Sequence, residues 1–123
     1  METITKTTPK KVIQTSTEEK GQVVVHCRYD ATYNTRIRIW KNTFLICHDT
    51  GNRSELLHAE GIAVAPDWSR IKDGQTMFFA LFFSSLPRTC KTFTLLEDMP
   101  LPLIFKVENI IRNKLDVYHV IIP

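Results

Sequence analysis

The longest apolar run in the chain is Met77-Phe78-Phe79-Ala80-Leu81-Phe82-Phe83. Every position is apolar, so the run shows neither the alternation of a half-buried strand nor the 3.6-residue period of an amphipathic helix. Its short length, its aromatic content and the nearby Gly74 and Pro87 favour a strand. A strand that is apolar on both faces is typical of the middle of a sheet. The run is also far shorter than the roughly 20 residues that cross a bilayer.

The segments around this run also have the character of strands. Apolar and polar residues alternate in the first of them, and turn residues such as Asp49-Thr50-Gly51-Asn52 separate the others. The strands are predicted at Gln22–Tyr29, Thr35–Trp40, Thr43–His48, Leu56–Ala65, Lys91–Glu97, Leu103–Asn109 and Lys114–Ile122. No stretch has the apolar spacing and caps of a helix, and only a turn is expected near Asp67–Lys72. The chain is therefore predicted to be all-β.

Short strands with turn signals between them predict an antiparallel β-sandwich of about seven to nine strands, with a small β-barrel as the alternative. Residues 21–123 form a single domain in this interpretation. Residues 1–20 are rich in Thr and Lys and have few large apolar side chains. They are expected to be a mobile N-terminal arm, with a short edge strand at Lys11–Gln14.

The composition is typical of a soluble globular domain, with 123 residues, 43% apolar and 24% charged. A net charge of +3 does not by itself point to a nucleic-acid partner. The first residues lack the apolar stretch of a signal peptide, so a cytoplasmic location is expected. Cys27, Cys47 and Cys90 are odd in number and show no C-x-x-C spacing, so reduced and mostly buried thiols are predicted.

No catalytic or metal-binding pattern stands out. The adjacent pairs His26-Cys27 and Cys47-His48 lie on predicted strands, where neighbouring side chains point to opposite faces, so each pair offers one ligand to a common centre. A cysteine nucleophile beside a histidine is an alternative that needs a thiolate held next to an imidazole. Neither a nucleophile elbow nor a phosphate loop is present. The sequence predicts a non-enzymatic protein without metal or cofactor.

One candidate binding surface is a basic and aromatic stripe. Arg36, Arg38 and Trp40 alternate along the predicted strand Thr35–Trp40 and therefore share one face. Such a stripe can stack on a base and contact phosphate, which gives weak nucleic-acid binding as an alternative function. The competing interpretation is structural, because arginine stems often cover apolar surface beside tryptophan while their charged ends stay in water.

A second candidate surface is the outer face of the central run. Phe78 and Phe82 point to the side opposite Phe79, Leu81 and Phe83. In a small sandwich this side needs a cover, which the N-terminal arm, a long loop or another subunit can supply. The leading prediction is a non-catalytic module that associates with itself or with a partner protein, through this face or a free edge strand. A barrel that carries a small apolar ligand such as a lipid is the alternative.

A resemblance supports the predicted fold. The stretch Phe79-Ala80-Leu81-Phe82-Phe83-Ser84-Ser85-Leu86-Pro87 is followed by Phe93-Thr94-Leu95-Leu96-Glu97. This combination of an aromatic strand, a Leu-Pro turn and a Phe-x-Leu-x-Glu strand resembles uncharacterised small all-β bacterial domains. Those domains are similar to immunoglobulin-like sandwiches. The resemblance implies the fold and no activity, because function depends on sites rather than on folds.

Overall fold

The computed structural model describes residues 22–31, 35–97 and 106–122. These residues form nine strands and no helix, which confirms the all-β prediction: β1 (Val23–Asp30), β2 (Thr35–Ile37), β3 (Thr43–Cys47), β4 (Arg53–Glu60), β5 (Ser69–Ile71), β6 (Thr76–Phe83), β7 (Thr92–Glu97), β8 (Lys106–Ile111) and β9 (Val117–Ile121). The described residues contain no helix with the length and apolarity needed to cross a membrane. The predicted N-terminal arm and its strand at Lys11–Gln14 lie outside the described residues.

Several segments differ from the prediction. The strand predicted at Thr35–Trp40 ends at Ile37, and the strand predicted at Lys114–Ile122 begins at Val117. The strand predicted at Leu56–Ala65 ends at Glu60, because Gly61 turns the chain at a φ of 80°. A Cβ atom at this glycine would lie 3.0 Å from the carbonyl oxygen of Phe78, so the turn also depends on close approach to β6. The turn expected near Asp67–Lys72 contains β5, which pairs antiparallel with β2. Local sequence does not reveal such a pairing, because the partner lies far away along the chain.

The larger strands form one continuous sheet in the order β8-β7-β3-β4-β6-β1-β9, and β2 and β5 form a separate two-stranded sheet. The large sheet is mixed rather than purely antiparallel, since β9 runs parallel to β1. It is strongly curved: Phe93 lies on β7, the second strand of the order, and Tyr118 lies on β9, the last, yet their ring centroids are 5.0 Å apart. The sandwich prediction is not confirmed, and the curvature fits the small-barrel alternative.

The core lies on the concave side of this sheet. The central run is extended as predicted, and β6 lies between β4 and β1 in the middle of the strand order. Phe79, Leu81 and Phe83 point inward with exposed fractions of 4% or less. They pack in one buried cluster with side chains from the neighbouring strands. Each such side chain contributes about 1.5–3 kcal/mol through burial, so this face of β6 is a major source of stability.

The cysteines depart from the sequence prediction. Cys47 and Cys90 form a disulfide with their Cα atoms 5.8 Å apart, so the expectation of reduced thiols is wrong for this pair. The bond joins the end of β3 to the loop before β7. Disulfides persist mainly in oxidising compartments, which weighs against the predicted cytoplasmic location. Cys27 is the remaining thiol and is buried on the inner side of β1.

Candidate functional site

The outward side of β4, β6, β1 and β9 presents a mixed apolar and imidazole surface, which we call the outer face. Strand register arranges it in rows across the sheet. One row pairs Phe82 with His58 and Val24, and a neighbouring row pairs His26 with Ala80 and His119. A third row places Arg28 between Phe78 and Ile121. Each row therefore combines apolar side chains with groups that donate or accept hydrogen bonds or carry charge.

The predicted interaction residues Phe78 and Phe82 both lie on the outer face. Phe78 is 69% exposed although it lies on the central strand of the sheet. Phe82 is half-buried and packs against the ring of His58, with centroids 5.5 Å apart. The row that contains Phe78 ends at Ile121 of β9, which is 63% exposed. The outer face thus exposes large apolar side chains as far as the edge of the sheet.

A stacked pair of histidines joins β1 to β9 on the outer face. The rings of His26 and His119 are 5.0 Å apart at an interplanar angle of 14°. Together with Glu60, Phe78 and other neighbours they line an open depression of about 430 Å³. On the far side of this depression Glu60 contacts His58, whose Nε2 lies 3.2 Å from the carboxylate. Exposed aromatic side chains beside hydrogen-bonding groups are common at protein contact surfaces.

The histidines and cysteines do not assemble a metal site in the part of the chain that the structure describes, since no three metal-ligating side chains converge there. Both ring nitrogens of His48 already contact hydroxyl groups: Nε2 lies 2.6 Å from Thr94 and Nδ1 lies 3.0 Å from Thr92. Cys27 points into the core while its neighbour His26 points outward. Burial raises the pKa of the Cys27 thiol to about 12, so it stays protonated and is a poor nucleophile at neutral pH.

The structure brings together the residues of the basic and aromatic stripe, but they contact one another. The Arg38 guanidinium lies between two indoles, with its central carbon 4.5 Å from the ring of Trp40 and 3.7 Å from that of Trp68. It also donates a hydrogen bond of 3.0 Å to the carbonyl oxygen of Pro66. Arg36 lies 4.8 Å from the ring of Trp68. These cation–π contacts use ring faces that a nucleic-acid base would need for stacking.

Sequence reasoning missed a buried ionic cluster, which we call the Arg112 clamp. Arg112 is only 6% exposed and holds Asp116 through two hydrogen bonds of 2.6 and 3.1 Å. Asp116 also accepts hydrogen bonds from Arg88 at 2.8 Å and from the hydroxyl of Tyr118 at 2.8 Å. The remaining Arg112 donors reach the carbonyl oxygens of Leu86, Pro87 and Cys90. The clamp therefore ties the turn before β9 to the loop that carries the disulfide.

The Arg112 clamp predicts a loss of stability in acid. Burial by itself would raise the pKa of Asp116, but hydrogen bonds from Arg112 and Tyr118 and the nearby positive charges outweigh it and lower the pKa. A carboxyl group whose pKa is lowered on folding stabilises the fold above its unfolded pKa of about 3.9. This contribution is lost as the pH falls through the lower folded value. In urea unfolding, we expect the contribution of Asp116 to the free energy of unfolding to be constant from about pH 7 to 5 and to decline below about pH 4.

The matched variant for this measurement is Asp116→Asn. Asparagine tolerates the positive φ of 56° at this position. It does not titrate, so the variant should be less stable than the wild type at neutral pH, and the difference should shrink in acid. An unchanged difference between about pH 7 and 2 would show that ionisation of Asp116 does not stabilise the fold.

Comparison with known proteins finds no family model, no curated protein and no solved structure that matches this chain. The resemblance of Phe79–Glu97 to small all-β bacterial domains and immunoglobulin-like sandwiches therefore stays a prediction. Evidence about function comes from the surfaces of the molecule itself.

Proposed function

We propose that this chain is a non-catalytic association module that pairs with a second copy of itself along the open edge of β9. The observation that carries the proposal is that β9 ends the strand order and pairs only with β1 among the described strands. We call the side of β9 away from β1 the β9 edge. An exposed edge offers backbone donors and acceptors to another strand, which is the usual geometry of sheet extension between chains.

The hydrogen bonds to β1 indicate which residues of β9 present their backbone to the β9 edge. The amide of Val24 donates to Asp116 at 2.9 Å and the amide of Ile122 donates to Arg28 at 2.8 Å. Backbone direction alternates along a strand, so the even-numbered residues of β9 face β1. The amide and carbonyl groups of His119 and Ile121 then point toward the β9 edge.

The two ends of the sheet differ in how they are protected. On β8, Lys106 and Glu108 form an ion pair of 3.0 Å, and Asn109 has a positive φ of 59° beside a register shift against β7. Charges and irregular backbone of this kind are devices that prevent strand addition. The β9 sequence, Val-Tyr-His-Val-Ile, has no lysine, arginine, carboxylate or proline. The β9 edge is therefore the favourable one for pairing.

The interior of the sheet weighs against the lipid-carrier alternative. Large side chains on the concave side are fully buried against one another, among them Phe83, Phe93 and Leu95. A carrier needs a cavity of several hundred Å³ in that region. The contacts of Arg38 with two indoles likewise favour a structural role for the stripe over nucleic-acid binding.

The substitution Ile121→Lys tests the proposal. Ile121 is 63% exposed, so a lysine there should leave the fold intact while placing a charge beside the β9 edge. The wild type is expected to sediment at about twice 14.3 kDa, and the variant at 14.3 kDa. The matched control is Ile111→Lys on β8, which is 75% exposed and should remain dimeric. A monomeric wild type across the whole dilution series would refute the proposed function.

A further inference from the structure

The order of side chains along β9 is self-complementary. Val117 and Ile121 flank His119 at equal distances, and all three lie on the outer face. When two such strands pair antiparallel about His119, Val117 of each copy lies opposite Ile121 of the other. Tyr118 similarly lies opposite Val120 on the inner side. These contacts are reciprocal between the two copies, as a two-fold interface requires, and they pair apolar or aromatic side chains with one another.

This register is also the one that the backbone permits. His119 presents its amide and carbonyl groups to the β9 edge, and residues that do so form hydrogen-bonded pairs in an antiparallel ladder. Two copies of His119 then exchange both backbone hydrogen bonds, with their Cα atoms about 5.5 Å apart. Asn113 donates to the carbonyl oxygen of Val117 at 2.9 Å, which leaves a second lone pair of that oxygen for the partner strand.

We propose that the β9 dimer is centred on His119 and dissociates in mild acid, a regulation that rests on the proposed function. In the monomer His119 stacks on His26 at 5.0 Å. Pairing about His119 extends this stack into a continuous row of imidazoles, two from each copy, across the junction. Protonation of imidazole in acid would place positive charges side by side along this row.

The charged groups around the row of imidazoles do not neutralise positive charge on it. On β1 the neighbouring cation Arg28 forms an ion pair with Asp30, at 3.1 Å. On β4, Glu60 borders the same depression but already contacts His58 at 3.2 Å. Beyond the start of β9, Asp116 is held in the Arg112 clamp. Adjacent imidazolium groups therefore repel one another across the junction with little compensation, and the repulsion is relieved when the copies separate.

Analytical ultracentrifugation of the whole chain at about pH 7.5 and about pH 5.5 tests this inference. We expect the dimer to weaken by at least about tenfold at the lower pH, with an unchanged circular dichroism spectrum. His119→Gln removes the titrating group at the centre and should associate at both pH values. His48→Gln is the control, because His48 follows β3 and contacts Thr92 and Thr94 of β7 rather than the row, and it should dissociate in acid like the wild type.

The substitution His119→Cys tests the register directly. The native cysteines do not interfere, since Cys47 and Cys90 are bonded and Cys27 is buried. A Cα separation of about 5.5 Å lies within the range of a disulfide, so mild oxidation should link two copies through residue 119. Ile111→Cys, exposed on the opposite edge of the sheet, should not form a linked dimer.

These measurements separate the inference from the proposed function. Three outcomes overturn the inference and leave edge pairing standing. The wild-type dimer persists in acid, the His119→Gln dimer dissociates in acid as much as the wild type, or the His119→Cys variant does not cross-link through residue 119. A wild type that is monomeric at about pH 7.5, where imidazole is largely neutral, overturns the proposed function itself.

Discussion

Arg112→Met is expected to lower the free energy of unfolding by about 3–5 kcal/mol, the usual cost of removing one member of a buried ion pair. The substitution leaves the 15% exposed carboxylate of Asp116 without its main partner. It also removes the donors to the carbonyl oxygens of Leu86, Pro87 and Cys90. Since a domain of this size is stable by only about 5–15 kcal/mol, the loss should be obvious in urea and thermal unfolding.

Two further variants assign the cause of this loss. Arg88 contacts the same carboxylate but is 52% exposed, so Arg88→Met should cost less than about 1 kcal/mol. Adding Asp116→Asn to Arg112→Met removes the unpaired charge and should recover part of the stability. If the double variant is no more stable than Arg112→Met, packing rather than charge explains the effect.

Loss of the Cys47–Cys90 disulfide is expected to destabilise the fold by about 4 kcal/mol on the chain-entropy model. The bond closes a loop between residues 43 positions apart, and opening it gives the unfolded chain many more conformations. The variant Cys47→Ala/Cys90→Ala and the reduced wild type should show similar losses in chemical denaturation. A reducing agent should have no effect on the alanine variant, which serves as the control.

Counting thiols provides an independent check of the same bond. The chain has three cysteines, and the structure leaves only Cys27 unbonded. In denaturant a thiol reagent should therefore detect one thiol before reduction and three after it. Three thiols before reduction would show that the pair is not bonded in the isolated protein.

The strands were predictable from the sequence where the alternation or the composition of a segment is clear. Alternation along Gln22–Tyr29 predicted a strand with two distinct faces, because a strand has a period of two whatever its neighbours are. The structure buries the face with Val23 and Val25 and exposes the face with His26. The interior position of Met77–Phe83 in the sheet also followed from its composition, since a strand that is apolar on both faces is typical of the inside of a sheet. The exposure of Phe78 shows that the described strands do not supply that cover.

The candidate site was only partly predictable. Phe78 and Phe82 belong to the outer face as predicted, but Arg38 proved to be enclosed by two indoles, one of which comes from a distant loop. Arg112 lies in the polar stretch Arg112-Asn113-Lys114, whose composition is typical of a solvated turn, yet its side chain is only 6% exposed. The importance of His119 depends on which strand is left at the edge of the sheet. Charge and residue type do not specify any of these contacts, because each joins segments far apart in sequence.

The sequence by itself determined that this protein is built from strands and that one aromatic strand lies inside a sheet. Those properties follow from side-chain period and composition, which are local. Only the tertiary structure decided the curvature of the sheet, the Cys47–Cys90 pairing, the Arg112 clamp and the place of β9 at the end of the order of described strands. Strand order and register bring distant residues together through many weak contacts at once, so a local pattern does not encode them.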